Sequence, residues 1–312
     1  MSLKNSLKGT GVALITPFKK NFDVDYDSLE KVIENVIDNG VNYLVTLGST
    51  GEAATLEQRE KIEVINFTFD KVKNRVPIVV GIGGNYTNEI LQSLESFPVE
   101  NAAAILTSSP HYNRPSQEGI FQHYKKIAEA SPKPVVIYNV PSRTGSNVTA
   151  ATTLRLANEC ENIGGIKEAS GNMLQCMYIL QERPKDFLVV SGDDQLTLPL
   201  IACGMDGVIS VAANYCPKDF SAMVDFALKG NFEKARQLHY KLLNANDLLY
   251  VENNPAGVKA FLAEMGLIEN NLRLPLVPLS DPVYQKVKEA VANGHGEWAI
   301  VNKSIVNKSI KG

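Results

Sequence analysis

The chain has 312 residues, 44% hydrophobic and 21% charged, with a formal net charge of −3 at pH 7. This is an ordinary globular composition, long enough for two domains or for one large α/β barrel with an appendage. Its mildly acidic balance excludes the basic footprint of a nucleic-acid binder, and no apolar run approaches the roughly 18 residues of a membrane span. The longest such run, Thr197 to Ala213, is broken by Asp206 and by glycines. The N-terminus has lysines but no apolar signal-peptide core, so the expected compartment is the cytoplasm. Cys160, Cys176, Cys203 and Cys216 form no C-x-x-C pair, and His111, His123, His239 and His295 are scattered. No metal site is expected from that spacing; free buried thiols in a reducing compartment are.

In chain order, short β-rich runs alternate with amphipathic stretches. The runs are residues 11–18, 43–48, 77–83, 102–107, 134–140, 163–168, 187–192 and 207–211. Between the first two, Leu29, Val32, Ile33, Val36 and Ile37 have the spacing of one helix face, with Asp25 or Asp27 as a cap and Asn39-Gly40 as a stop. Thr55-x-x-Gln58 reads as a capping box for the next helix. Strands that are apolar almost throughout imply a parallel sheet buried on both faces. Eight strand–helix units close a barrel, and about 250 residues is its usual size. The expected fold is therefore α/β, a (β/α)8 TIM barrel over residues 1–230. Residues 231–300 read as a small C-terminal helical domain, with helices over 232–249, 255–265 and 281–293. Residues 301–312 contain VNKSI repeated in tandem and read as a flexible tail.

In such barrels the site lies at the C-terminal ends of the strands, so those ends carry the candidates. The second ends in Gly48-Ser49-Thr50-Gly51-Glu52, a turn with free N–H groups and hydroxyls suited to a carboxylate, or simply a helix cap. The run Gly81-Ile82-Gly83-Gly84 lacks the third glycine of a dinucleotide fingerprint and reads as a turn. The fourth strand ends in Pro110-His111-Tyr112, a tip too apolar for a solvated loop, which either plugs another subunit or joins the site. The fifth ends in Tyr138, followed by Arg143 in a loop between Pro141 and Gly145. The sixth contains Lys167, costly to bury charged and, when neutral, a nucleophile toward carbonyls. Its alternative, pairing with a carboxylate, is awkward for Glu168, because adjacent strand residues face opposite ways. Asp193 and Asp194 after the seventh strand diverge similarly, and one of them suits a helix cap better than magnesium.

The motifs GSTGEAATL, PHYNRPSQEG, YNVPSRTG, GIKEAS, SGDD and GVISV stand together in this order. In them the chain resembles the 4-hydroxy-tetrahydrodipicolinate (dihydrodipicolinate) synthase family, within the N-acetylneuraminate lyase superfamily of class I aldolases, from about Leu7 to Met265. The resemblance implies a lyase that condenses pyruvate with L-aspartate 4-semialdehyde on the route to diaminopimelate and lysine. It implies no metal or diffusible cofactor and a homotetramer of two tight dimers. It assigns the imine to Lys167, proton transfer to Tyr138 in a relay with Ser49 and Tyr112, and the pyruvate carboxylate to Thr50. Tyr112 is implied to reach across the tight-dimer interface. Arg143 is assigned the semialdehyde carboxylate, and Gly192 and Ile209 the lining of the site, the latter through its carbonyl. Ala54, Asn85 and Glu89 match a regulatory L-lysine pocket. Ala53, Gln58, Lys61 and His111 depart from it, although His111 could still bind the ligand's carboxylate, so weak or absent lysine inhibition is expected. Ser49 stands where synthases usually have Thr and N-acetylneuraminate lyases often have Ser, whereas Arg143 matches the synthases. The competing readings are another pyruvate-dependent aldolase, such as N-acetylneuraminate lyase, and a non-catalytic barrel that binds a keto acid.

Overall fold

A computed structural model describes residues 2–293. Eight parallel strands, β1 Gly9–Ala13, β2 Tyr43–Thr46, β3 Ile78–Gly81, β4 Ala104–Ser108, β5 Val135–Asn139, β6 Ile163–Glu168, β7 Leu188–Ser191 and β8 Gly207–Ser210, close into a barrel in sequence order, with β8 pairing back to β1. Helices between the strands form the outer layer. The expected (β/α)8 architecture is therefore the observed one.

The period-two alternation of each strand divides the core into two layers. Tyr43, Val45, Val79, Leu106, Val136, Leu188, Val190 and Ile209 pack together inside the barrel. Their outward neighbours Leu44, Val80, Ile105, Ile137, Ile166, Val189 and Val208 pack in the larger cluster with the helices. Both faces are thus apolar, which is why the strands read as nearly continuous hydrophobic runs. The helix Tyr26–Asp38 presents Leu29, Val32, Ile33 and Val36 to this layer, and the side chain of Asp25 caps it by accepting from the amide of Ser28.

Several boundaries differ from the sequence reading. The first strand is Gly9–Ala13, earlier than the run 11–18. Leu14, Ile15 and Phe18 are as buried as strand residues, so hydrophobicity alone does not distinguish them. They lie beyond the ladder, where the side-chain amide of Asn271 donates to the carbonyl of Phe18. The capping box before Gln58–Val72 uses Glu57 and Glu60, not Thr55 and Gln58; the Thr55 hydroxyl instead donates to the carbonyl of Glu52. Cys160, Cys176 and Cys216 are buried free thiols, but Cys203 is exposed, because it follows the short helix Thr197–Ala202 as its C-cap at the surface.

After Pro217–Leu228 come Phe232–Asp247, Ala256–Glu264 and Asp281–Asn293, the three helices expected at the C-terminus. The repeat at 301–312 and His295 lie outside the described residues.

Lys259, on Ala256–Glu264, is completely buried and forms an ion pair with the buried carboxylate of Glu52. Its Nζ also donates to the carbonyl of Asn271 at 3.0 Å and lies 4.2 Å from the centre of the Phe18 ring. Burial pushes the Lys259 ammonium down to about 8, against the opposing pull of Glu52. Arg273 adds a fork on Glu60 and donates its backbone amide to Glu52. Removing one partner of a buried pair leaves an uncompensated charge. Lys259→Met is therefore expected to lower the unfolding free energy by about 3–5 kcal/mol, and Glu52→Gln/Lys259→Met to recover part of that loss. Equilibrium denaturation in urea measures both.

Candidate active site

A cleft of about 780 Å³ opens at the C-terminal ends of the strands, with Ser49, Thr50, Tyr138, Arg143, Lys167 and Gly192 on its walls. Lys167 forms part of the floor. It is only 4% exposed, and its Nζ lies 4.3 Å from the centre of the Tyr138 ring. This proximity follows from register, since Tyr138 on β5 stands directly beside Lys167 on β6 and both point inward. Gly192 makes room for the lysine. A Cβ there would lie 2.8 Å from Lys167 Cε and 2.7 Å from Ala169 Cβ, so a side chain would displace the amine.

The segment after β2 begins with a 3-10 turn, Ser49–Gly51, joined to a second, Ala53–Thr55, through Glu52 in the left-handed region at φ 53°. A non-glycine residue held there is strained and needs surrounding structure to fix it. Glu52 has that support in its buried pairing with Lys259. The turn is also held by the Thr16 hydroxyl, which donates to the carbonyl of Gly51 at 2.7 Å. Asn254 Nδ2 donates to Thr50 Oγ1 at 2.9 Å. Ser49 is exposed to the cleft while Thr50 is buried.

Arg143 sits on a helical turn, Pro141–Thr144, and not in an irregular loop. Pro141 suits the first helical position, and Gly145 at φ 73° ends the turn where a side chain is disfavoured. The guanidinium is exposed at the mouth and donates to the carbonyl of Asn254 at 3.0 Å.

Other residues named from sequence are placed differently. Ile209 is buried in the inner barrel layer, and Val211 is the β8-end residue on the cleft wall. Tyr112 is not on the cleft wall: it is 90% exposed, with its backbone held at φ 69°. The amide of His111 donates to the side-chain oxygen of Asn85 at 2.9 Å, which joins the ends of two neighbouring strand loops. Ala54 and Glu89 are exposed on the segments following β2 and β3. Asp193 lines the cleft and accepts from the amides of Gln195 and Leu196 in the turn before Thr197–Ala202; that helix has Leu196 as its N-cap and no side-chain cap bond, so neither aspartate is the cap expected there.

The sequence reading missed the contribution of the C-terminal segment. Tyr250, Val251, Asn253 and Asn254 form one wall of the cleft. Tyr250 donates its hydroxyl to Asp194 Oδ2 at 3.2 Å, and the same carboxylate accepts from the amides of Val211 and Ala212. Burial pushes the Asp194 carboxyl up, opposed by the Ser210 hydroxyl and those amides. The available signal was Asn253-Asn254-Pro255, a polar turn between two apolar helical stretches. Among the described residues no group of three or more His, Cys, Asp or Glu is arranged to hold a metal ion.

The chain is 49% identical over 286 residues to a 4-hydroxy-tetrahydrodipicolinate synthase of Parabacteroides distasonis, covering 92% of this chain and 96% of the relative. It is 50% identical over 279 residues to that of Flavobacterium psychrophilum, covering 89% and 95%. The crystal structure of a chloride-inhibited dihydrodipicolinate synthase from Acinetobacter baumannii, complexed with pyruvate, matches with a TM-score of 0.90 at 39% identity, over 92% of this chain and 99% of that one. The model of the dihydrodipicolinate synthetase family matches residues 6–293, and by this match and these identities the chain belongs to that family.

Proposed function

We propose that the protein is a lyase that condenses pyruvate with L-aspartate 4-semialdehyde to 4-hydroxy-tetrahydrodipicolinate, the branch point toward diaminopimelate and lysine. The observation that carries this reading is the Lys167 amine on the cleft floor against Tyr138, in a chain of this family. The neutral amine adds to the ketone carbon of pyruvate, and water leaves to give the imine. Its protonated nitrogen draws electrons from the neighbouring methyl group, which loses a proton and becomes an enamine carbon. That carbon attacks the aldehyde carbon, whose oxygen takes up a proton. The amine of the second substrate then attacks the imine carbon, the ring closes, and Lys167 leaves as the free amine. The iminium nitrogen is the electron sink, so the sequence of steps calls for no metal or diffusible cofactor.

Tyr138 is the proton carrier, in a relay with Ser49 and with Tyr112 of a neighbouring subunit. The exposure and strained backbone of Tyr112 support the latter role, since an aromatic held outward suits insertion elsewhere. Thr50 and its turn receive the pyruvate carboxylate, with Gly192 and the carbonyl of Ile209 contributing to the same pocket. Arg143 receives the second carboxylate at the mouth, where its fork geometry suits bidentate recognition. It favours this reading over N-acetylneuraminate lyase activity. The assembly is a homotetramer of tight dimers in the cytoplasm, where free thiols persist. Ala54, Asn85, Glu89 and His111 are assigned to a regulatory L-lysine site at which inhibition is weak or absent, because Lys61 opposes the ligand's ammonium.

Three measurements check this reading. Borohydride added with pyruvate should place one reduced pyruvyl group on the Lys167 peptide, in protein that is active in a coupled assay with L-aspartate 4-semialdehyde. An adduct on another lysine refutes the assignment. Arg143→Ala should still trap pyruvate but lose turnover by about 10²-fold or more, the equivalent of a charged contact of roughly 3 kcal/mol. Equal loss of trapping would place Arg143 at the first substrate instead. Mixed dimers of Tyr112→Phe and Lys167→Ala subunits should regain activity, because one of their two sites has both residues intact. Confirmed hybrids without activity would confine Tyr112 to its own subunit's site.

A further inference from the structure

The outward faces of β5 and β6 change character at the level of the cleft. Ile137 pairs with Ile166, and both are buried against the helices. One step on, Tyr138 pairs with Lys167 and both face inward. The next outward pair is Asn139 with Glu168, both fully buried and both polar. Burying a carboxylate behind a strand is costly unless its oxygens are met by donors. Here Glu168 accepts from Ser170 N at 2.7 Å, Asn139 Nδ2 at 2.9 Å and Gln175 Nε2 at 3.0 Å.

These bonds reach beyond the strand pair. Asn139 Oδ1 accepts from the amide of Val148 at 2.9 Å, and Asn139 Nδ2 also donates to Asn147 Oδ1 at 2.8 Å. Asn147 Nδ2 donates to Gln175 Oε1 at 2.7 Å. The segment from Asn139 to Val148, which carries Arg143, is therefore fastened at both ends by the group that holds Glu168. We propose that Glu168 is a positioning residue for the imine chemistry, locking Lys167 beside Tyr138 and fixing the Arg143 segment to the same framework. The inference rests on the imine reading above and adds a residue that touches no reacting atom.

The choice of residue type supports it. An apolar pair, Ile137 and Ile166, fills the same outward position two residues earlier, so packing alone does not demand a charge. Apolar contacts are non-directional, whereas charge-assisted hydrogen bonds fix both distance and angle. An amide at position 168 would set an NH2 group against the NH2 groups of Asn139 or Gln175, and the network would have to open. A shift of about 1 Å in a reacting group is enough to cost two orders of magnitude in rate.

The test is the rate of imine formation per competent site, from rapid mixing with pyruvate and quenching with borohydride, normalised to the final extent of Lys167 labelling. A role in folding alone would lower the final extent but not the normalised rate constant. Glu168→Gln should slow that rate constant by tenfold or more, and Glu168→Gln/Gln175→Glu, which exchanges donor and acceptor, should regain at least threefold. A rate constant for folded Glu168→Gln within threefold of wild type, or no recovery in the exchanged pair, would overturn the proposal. Should Glu168→Gln fail to fold, Gln175→Met removes one of the three donors to Glu168 together with the acceptor of Asn147 Nδ2: slowing of threefold or more supports the proposal and an unchanged rate overturns it. Absence of any adduct in the wild-type protein would instead remove the imine reading and this inference with it.

Discussion

The parallel register of β5 against β6 is the constraint on which the site depends. It sets Tyr138 beside Lys167 on the inner face and Asn139 beside Glu168 on the outer face. Because side chains alternate along a strand, a slip of one residue would turn the lysine into the helix layer and the carboxylate into the barrel. Neither group could be satisfied there: Lys167 would leave the cleft, and Glu168 would lose Ser170, Asn139 and Gln175. The polar outer pair and the reactive inner pair thus specify one register together.

A second set of interactions brings the C-terminal helices to the site. The buried pair of Glu52 and Lys259 fixes the end of the turn that presents Ser49 and Thr50. Asn254 reaches that turn at Thr50 with its side chain and Arg143 with its carbonyl, so one residue spans both ends of the cleft. Tyr250 completes the third link, through Asp194 to the residues after β8. A barrel alone would leave these loops standing free. The helices after residue 230 hold them, and so contribute to the chemistry without supplying the nucleophile.

Glu52, Tyr112 and Asn253, all with positive φ, lie in or near the loops around this mouth. Such conformations persist where the surroundings over-determine them. For Glu52 those surroundings are visible in its ion pair with Lys259 and in the Arg273 amide. For Tyr112 one backbone bond to Thr144 is present within the chain, and its side chain is left outside.

Much of this was legible in the sequence, for stated physical reasons. Apolar runs at barrel spacing announced the eight strands, because strands buried on both faces must be hydrophobic. The cap was readable as Asp25 or Asp27, and Glu168 as a poor partner for Lys167, because capping and strand alternation are local rules. The failures share a cause: residues 14–18 are as apolar as a strand because the surrounding structure buries them, and Thr55 resembled a cap until Glu57 and Glu60 took that role. The sequence by itself determined the strand count, the inward direction of Lys167 and Tyr138, and the glycine and hydroxyl composition of the β2 turn. Only the tertiary structure decided that Lys259 would meet Glu52, that Asn254 would meet Thr50, and that Gln175 and Asn147 would surround Glu168. Periodicity records which face of an element is buried. It carries no information about which distant polar groups share that burial, and here those pairings shape the cleft.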